Sequence, residues 1–376
     1  MPNSHSLSQF SIHYPDKLSE KEILALPRAG RIRYEGDGVA GLLENAFYFG
    51  DNFHVLQWLL GDFAGKVDLI YIDPPFGTGQ AFAHSGQEMA YDDRLVDYQF
   101  LEFLRRRLFL MRELLSEQGS IYLHIDKKIG HYLRVIMDEV FGYQNHINDI
   151  TRIKCNPKNF SRKAYGNCSD MILYYAKQRD RQIWHEIRAP LTEPEIESLF
   201  PKIDPKAGRY TTHPLHAPGE TLDGDTGLPW KGMPPPKGRH WRYGRDRLDE
   251  LNNAGLVEWS DNGNPRKKAF AQDHPGKKVQ DVWEFKDKGL SYVSYPTEKN
   301  PDLLARIIGH SSDPGSLVLD AFAGSGATLL AAHRMGRRWI GIDASARSSA
   351  IVRQNLENAQ IAAHFYHWEK DAESTG

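Results

Sequence analysis

An apolar segment that ends in two consecutive prolines limits the folds open to this chain more than any other feature. Residues 67–72, Val-Asp-Leu-Ile-Tyr-Ile, have the length and composition of a buried strand in a parallel sheet. Asp73, Pro74 and Pro75 follow, and the strand ladder has to end there because proline has no N–H. Ligands of open α/β sheets bind at such strand ends, so Asp73, the Pro74 carbonyl and the ring of Phe76 could hold a planar, amine-bearing group. The same sequence also opens ordinary loops, which leaves a purely structural role open.

A second unit of strand, glycine turn and helix lies near the C-terminus. Residues 317–319 are typical of a buried strand, residues 320–326 (Asp-Ala-Phe-Ala-Gly-Ser-Gly) of a turn, and residues 327–335 of a helix. The next strand, 338–342, is followed by Asp343. Glycines allow a ligand close to the backbone, and an acid at the next strand end can accept hydrogen bonds from ribose hydroxyls, so the pattern indicates a nucleotide-type site.

Three classes of ligand compete for this glycine turn. A P-loop requires Gly-Lys-Ser/Thr, which is absent. A dinucleotide site favours a third glycine at position 329, where this chain has leucine. S-adenosyl-L-methionine has no pyrophosphate and needs an acid for its ribose, so the pattern favours this cofactor, with NAD as the alternative.

The remaining pattern divides the chain into four parts. Residues 1–30 are polar and predict an N-terminal arm; residues 31–177 and 291–376 have α/β texture; residues 178–290 are rich in proline and glycine and predict an inserted domain. The expected strands are 46–49, 67–72, 120–125, 146–153, 171–176, 317–319 and 338–342. The expected helices are 53–60, 98–116, 129–140, 246–251, 301–308, 327–335 and 346–359.

Basic and aromatic residues alternate in two places. The formal net charge is −2, so any contact surface for nucleic acid has to be local. Candidates for phosphate contacts and base stacking are Arg239, Trp241, Arg242 and Arg245 in the inserted domain, and Arg152, Lys154 and Lys158 in a basic turn. A solvated surface with no ligand is the alternative.

Composition excludes several classes of protein. The chain is 40% hydrophobic and 26% charged, with no apolar run of about 20 residues and no apolar signal segment at its polar N-terminus. Its two cysteines, Cys155 and Cys168, have no zinc-site spacing. We expect a cytoplasmic protein with reduced thiols, no metal and no membrane association.

With both motifs identified, the chain resembles the β class of amino-group DNA methyltransferases, and is similar to adenine-N6 enzymes and to type III modification subunits. In that class the catalytic motif, here Asp73–Phe76, precedes the cofactor motif, here Asp320–Gly326, and a target recognition domain lies between them. The resemblance covers about residues 45–360. It implies a circularly permuted Rossmann-like α/β sheet of seven strands, with residues 178–290 as the target recognition domain.

The resemblance also implies residue roles. S-adenosyl-L-methionine would be bound by Asp51, Asn52, Asp73, Thr297, Lys299, Asp320, Phe322, Gly324, Ser325, Gly326 and Asp343. Asp73, Pro74, Pro75 and Phe76 would hold the amine of a base that has left the duplex. In this family a leading Asp, rather than Ser, favours adenine N6 over cytosine N4; a cytosine enzyme, an NAD-dependent oxidoreductase and an inactive DNA-binding relative are the alternatives.

Two substitutions and the length of the chain depart from the family pattern. Phe76 replaces the commoner Tyr, and Ala321 stands where Pro is usual. The chain is short for a type III modification subunit, which favours a solitary or type II-like enzyme. Double-stranded DNA is the expected partner, and the resemblance also allows a homodimer and a cognate restriction enzyme.

Overall fold

A computed structural model describes residues 11–36, 41–75, 98–156, 163–286 and 299–371. The chain forms two compact units: residues 1–186 with 280–376, and residues 187–279. Within the described ranges, no helix combines the length and apolarity needed to cross a membrane.

The elements follow one another along the chain in three groups. The first contains α1 (Glu20–Ala25), β1 (Arg31–Tyr34), β2 (Ala46–Phe49), α2 (Asn52–Phe63), β3 (Val67–Ile72), α3 (Tyr98–Leu114), β4 (Leu115–Ile125), α4 (Lys127–Phe141), β5 (His146–Ile153) and β6 (Ser169–Ala176). The second contains β7 (Arg188–Ala189), α5 (Glu193–Leu199), β8 (Lys202–Asp204), β9 (Gly208–Pro214), β10 (His216–Pro218), β11 (Arg239–Trp241), α6 (Arg245–Asn253), β12 (Val257–Trp259), β13 (Pro265–Phe270) and β14 (Lys277–Lys278). The third contains β15 (Val282–Glu284), α7 (Pro301–Ser311), β16 (Leu317–Asp320), α8 (Ala327–Arg334), β17 (Arg338–Asp343), α9 (Ala346–Asn358) and β18 (His364–Glu369).

The first unit is built on one mixed sheet with the strand order β1-β18-β2-β17-β16-β3-β4-β6-β5-β15. The strands β2, β17, β16, β3 and β4 are parallel neighbours, and β6 is antiparallel to both β4 and β5. The permuted order is therefore confirmed, since the late strands β16 and β17 lie between the early strands β2 and β3. The seven expected strands form the centre, and β1, β18 and β15 extend the sheet beyond them.

Alternation along the strands divides the side chains between two layers of helices. Ile70 and Ile72 belong to a buried cluster with α1, α2, α3 and α4. The opposite face carries Tyr122, whose hydroxyl lies 2.7 Å from Ser311 Oγ of α7, and Gly341, whose missing Cβ makes room for Leu329 of α8. Both faces of the central strands are thus covered, as parallel strands require.

The described part of the expected N-terminal arm packs on the first layer of helices. The Tyr14 hydroxyl donates a hydrogen bond to Glu102 at 2.7 Å, and Lys17 forms an ion pair of 2.7 Å with Glu139. Ile23 of α1 is fully buried, and α1 begins with a capping box formed by Ser19 and Glu22. Residues 11–30 are therefore part of the first unit.

The second unit has a separate, smaller core. It contains the antiparallel sheet β12-β13-β9-β8 and the strand pairs β10-β11 and β14-β7. Its core residues are Leu215, Trp230, Trp241, Leu248 and Leu251. This unit lies inside the expected interval 178–290; the structure assigns residues 178–186 and 280–286 to the first unit, where β15 pairs with β5.

Candidate active site

An acidic residue ends or closely follows each of five adjacent parallel strands. Asp51 follows β2, Asp343 ends β17, Asp320 ends β16, Asp73 follows β3 and Asp126 follows β4. The carboxyl ends of parallel strands meet at one edge of the sheet, where α/β proteins bind ligands. The fold therefore gathers carboxylates from both sequence motifs along one edge and makes that edge suited to a cation or to hydrogen-bond donors.

The two oxygens of Asp73 differ in their surroundings. Oδ2 lies 2.8 Å from Lys299 Nζ, and both side chains are mostly buried, at 18% and 15% exposed. Oδ1 is buried and has no hydrogen-bond partner among the described residues. A buried oxygen without a hydrogen-bond donor costs about 1–3 kcal/mol of folding free energy. Such an oxygen in a native structure needs an explanation, and one explanation is that it accepts a hydrogen bond from a ligand. Pro74 next to it is buried and Pro75 is exposed.

The glycine turn is braced by Asp343. Gly324 and Gly326 have φ angles of 52° and 79°, in the left-handed region that glycine adopts without strain. The amides of Gly324 and Ser345 each donate to one Asp343 oxygen at 2.8 Å. Burial raises the pKa of Asp343, and these two backbone hydrogen bonds oppose the increase. The Ser348 side chain and the Ala344 amide also lower this pKa, so Asp343 is an acceptor of several hydrogen bonds at the end of β17.

Asp320 is the most deeply buried acid of this edge, with 3% of the residue exposed. Its Oδ1 accepts a hydrogen bond from the Phe322 amide at 3.0 Å. Burial and, to a smaller extent, the charges of Asp73 and Asp343 raise the pKa of Asp320 to about 7, against the opposing hydrogen bonds from Thr328 and Phe322. A neighbouring cation would reverse part of this shift.

The beginning of α2 is tied to the turn after β16 by Asn52, and one buried arginine, Arg107, holds Asp51 and Asn52 in place. Asp51 caps α2 through the Phe53 amide at 2.8 Å and forms an ion pair of 2.7 Å with Arg107. The Asn52 amide group donates to Ala321 O at 2.7 Å and accepts from the Arg107 guanidinium. Burial lowers the pKa of Arg107 to about 10. The sequence motifs do not include Arg107, although a basic residue within the apolar stripe of α3 indicates a buried, paired charge.

A cleft of about 410 Å³ opens beside Asp51. Phe53 of α2 lines it together with Tyr98, Phe103 and Arg107 of α3. The rings of Phe103 and Phe322 lie 6.4 Å apart, which connects this cleft with the glycine turn. The volume falls in the range of small-molecule sites, about 300–1,000 Å³.

Most of the predicted cofactor residues meet at this edge of the sheet or directly beside it. The set comprises Asp51, Asn52, Asp73, Lys299, Asp320, Phe322, Gly324, Ser325, Gly326 and Asp343. Three other predicted residues, Phe76, Lys158 and Thr297, lie outside the described residues. No group of three or more His, Cys, Asp or Glu in the described ranges could hold a metal ion.

Two predicted DNA contacts are core residues instead. Arg152 is fully buried, and its Nε donates to Phe285 O at 2.9 Å. Trp241 is fully buried in the core of the second unit. The sequence pattern was misleading because alternation of basic and aromatic residues does not reveal which side chains point inward. A third predicted contact, Lys154, forms an ion pair of 2.6 Å with Asp170.

The other three predicted DNA contacts, Arg239, Arg242 and Arg245, are exposed on the second unit. Arg239 hydrogen-bonds with His216 at 3.1 Å, and Arg242 donates to Pro214 O at 3.1 Å. Neither forms an ion pair with a carboxylate of the described residues, whereas Arg245 pairs with Asp225 at 2.6 Å. The positive charges of Arg239 and Arg242 are therefore less neutralised by neighbouring carboxylates than the charge of Arg245.

Comparison with known proteins agrees with this architecture. The N6/N4 methyltransferase family model, described as DNA methylase, matches residues 67–354. The chain is 42% identical over 359 residues to the type II methyltransferase M.EcaI of Enterobacter cloacae, a match that covers 93% of this chain and 78% of that protein. It is 29% identical to the StyLTI Mod subunit, from a type III restriction-modification enzyme of Salmonella typhimurium, over 85% of this chain and 54% of that protein.

Among solved structures, the M1.HpyAVI–SAM complex matches with 17% identity and a TM-score of 0.45, over 83% of this chain and 98% of that one. Because the family model spans most of the chain and the M.EcaI match covers nearly all of it, the chain belongs to the N6/N4 family of DNA methylases.

Proposed function

We propose that this DNA methylase transfers a methyl group from S-adenosyl-L-methionine to the N6 amine of an adenine that has been flipped out of duplex DNA. The observation that carries the proposal is the Asp73 carboxylate, which has one oxygen anchored by Lys299 and one buried oxygen without a donor. An exocyclic amine offers two N–H groups to such an acceptor. The base has to leave the duplex because its amine is otherwise paired.

The residues of the glycine turn and the strand ends fit S-adenosyl-L-methionine. This cofactor supplies an electrophilic methyl group on a positively charged sulfur. Asp343 would accept from the ribose hydroxyls, and Gly324 and Gly326 would let the cofactor approach the backbone. The row of carboxylates, with Asp320 at its centre, favours a cationic ligand over a neutral one.

Asp73 would act on the amine. As the amine nitrogen forms its bond to the methyl carbon, the bond from that carbon to sulfur would break and leave its electron pair on sulfur. The nitrogen would gain positive charge and then lose a proton to solvent. A carboxylate at hydrogen-bond distance stabilises that charge, and this kind of preorganised acceptor supplies a large part of many enzymatic accelerations. The Pro74 carbonyl would accept the second N–H, and stacking of the base on Phe76 stays a prediction from the family resemblance.

The product distinguishes adenine from cytosine methylation. Unmodified duplex DNA is incubated with the purified protein and S-adenosyl-L-methionine, digested to nucleosides and analysed by mass spectrometry. We expect N6-methyladenine, on the basis of the leading Asp in the catalytic motif. If N4-methylcytosine is the main product, the adenine assignment is wrong while the family and the fold stand.

We propose two further partners, a second copy of the chain and a cognate restriction enzyme. The type II and type III names of the relatives support the second. Light scattering over a range of protein concentrations tests for a homodimer. If a cognate restriction enzyme is present, we expect extracts of the host cells to cleave DNA from cells in which this methylase is deleted.

A further inference from the structure

A buried network of hydrogen-bonded side chains crosses the sheet next to Asp73. The Tyr71 hydroxyl of β3 lies 2.9 Å from His124 Nδ1 of β4, and His124 Nε2 lies 3.4 Å from Asp170 Oδ2 of β6. Lys154 Nζ completes the network with a hydrogen bond of 2.6 Å to the other Asp170 oxygen, Oδ1. Tyr71, His124 and Asp170 are at most 2% exposed. Burying so many polar groups costs folding free energy unless all of them are paired, so a functional role for this network is worth testing.

The chemistry of these partners determines the tautomer of His124. Although burial opposes it, hydrogen bonds from His124 and Lys154 lower the pKa of Asp170 to about 2, so Asp170 is an ionised acceptor. Burial lowers the pKa of His124, so its ring is neutral. The ring must therefore carry its proton on Nε2 to donate to Asp170, which leaves Nδ1 to accept from the Tyr71 hydroxyl.

The register of the strands places this network beside Asp73, the proposed catalytic carboxylate. Ile72 pairs with Leu123, so Asp73 and His124 are the next neighbours along β3 and β4. Tyr71 lies two residues before Asp73 and therefore on the same face of the sheet. The titratable and charged groups that act on His124 are Tyr71 and Asp73 from β3, Asp170 from β6, Arg152 from β5 and Lys299 from the segment before α7.

We propose that His124 is a positioning residue for methyl transfer. Its ring, fixed between Tyr71 and Asp170, holds the end of β3 so that the open oxygen of Asp73 faces the amine. A neutral ring in this place leaves the carboxylate available, whereas a charged imidazolium would compete for it. The inference rests on the proposed function and adds residues of β3, β4 and β6 that do not touch the cofactor or the base.

Tyr71→Phe tests the proposal, and Tyr122→Phe is its matched control. Each change removes one buried phenol hydroxyl that has a side-chain hydrogen-bond partner, His124 for Tyr71 and Ser311 for Tyr122. We expect the single-turnover methylation rate to fall about 10- to 100-fold in Tyr71→Phe, the scale of a small misplacement of a reacting group. In Tyr122→Phe the rate should stay within about twofold, and both variants should keep the cofactor dissociation constant.

A merely structural role would lower the thermal midpoint of both variants and the rate of neither. Equal rates for Tyr71→Phe and the parent protein therefore overturn the proposal, as does an equal loss in both variants. Absence of product from the parent protein contradicts the proposed function instead.

A spectroscopic measurement tests the same hydrogen-bond network without any methyl transfer. Long-range ¹H–¹⁵N spectra of histidine-labelled protein at pH 7 to pH 8 should contain one ring that is neutral and protonated on Nε2. That signal should disappear in His124→Gln. Its amide can still donate to Asp170, so we expect this variant to fold and to retain more activity than His124→Ala. A His124 signal that titrates near its usual pKa would contradict the proposal.

Discussion

The carboxylate of Asp73 makes the first residue-level prediction. Asp73→Ala should abolish methyl transfer, because the buried acceptor for the amine is lost, while cofactor affinity changes by only a few fold. Tritium transfer from labelled cofactor to DNA measures the first quantity, and calorimetry the second.

Asp68→Ala is a matched control, because Asp68 lies near the opposite end of the same strand, β3, and accepts a hydrogen bond from the Leu317 amide at 3.1 Å. This variant should lose about 1–3 kcal/mol of stability and keep its activity. Substantial turnover by Asp73→Ala would remove Asp73 from its proposed role.

Asp320 makes a prediction about pH. Its pKa of about 7 belongs to the protein without a cationic ligand, and a bound sulfonium favours the ionised carboxyl and so lowers that pKa. Cofactor affinity should therefore increase from pH 6 to pH 8, by about three- to tenfold for one proton, with proton release on binding. Calorimetry in two buffers of different ionisation enthalpy measures that release.

Two comparisons isolate this carboxyl. Asp320→Asn should remove the pH dependence, since no proton is left to release at this position. S-adenosyl-L-homocysteine lacks the sulfonium charge and should show a weaker dependence in the parent protein. A pH-independent affinity for S-adenosyl-L-methionine would contradict the role of Asp320.

At the scale of elements, helix α8 is bounded by a glycine at each end, and only the first belongs to the candidate site. Gly326 has φ 79°, and a Cβ there would lie 3.1 Å from Val352 Cγ2; Gly336 has φ 75° and open space around it. Gly326→Ala and Gly336→Ala should each cost about 1–2 kcal/mol of stability through the left-handed backbone. Only Gly326→Ala should also weaken cofactor binding, measured by calorimetry. Equal affinities in the two variants would mean that the cofactor does not use this turn.

The sequence predicted long and strongly patterned elements well. The bounds of β2, β3 and β5 agree with the structure, and β2 and β3 do so because each is an apolar run limited by turn residues. By contrast, α1, β1 and β18 were missed. The two strands pair with each other over more than 330 residues of sequence, and local pattern contains no information about such a partner.

Within the candidate site, sequence identified the acids and glycines but not the groups that hold them. Asp73, Asp320 and Asp343 were found because each follows an apolar strand. Arg107 and His124 were not, since their roles depend on neighbours that only the strand order brings together.

At the scale of the whole molecule, binding of DNA should depend on a local basic cluster in the second unit. Burial and the charges of Arg239, Arg242 and Arg266 lower the pKa of His216, which shows that three guanidinium groups converge there. Arg239→Ala and Arg242→Ala should each weaken DNA binding and reduce the slope of log affinity against log salt by about 1. Fluorescence anisotropy at several salt concentrations measures both.

Arg247→Ala is the control for these two variants, since Arg247 is equally exposed but is paired with Glu250 on α6. We expect its DNA affinity to stay within about twofold of the parent protein. If Arg239→Ala and Arg242→Ala bind like this control at every salt concentration, the cluster is a solvated surface.

The position of β16 and β17 between β2 and β3 affects how the protein can be made in the cell. During synthesis β3 emerges long before its neighbour β16, and at ~5–20 residues per second it waits roughly 10–50 seconds for that partner. Until then β2 and β3 have unpaired edges, which makes the nascent chain a client for chaperones. A chain released before residue 343 contains Asp73 without the complete strand β17, so we expect incomplete translation products to be unable to modify DNA.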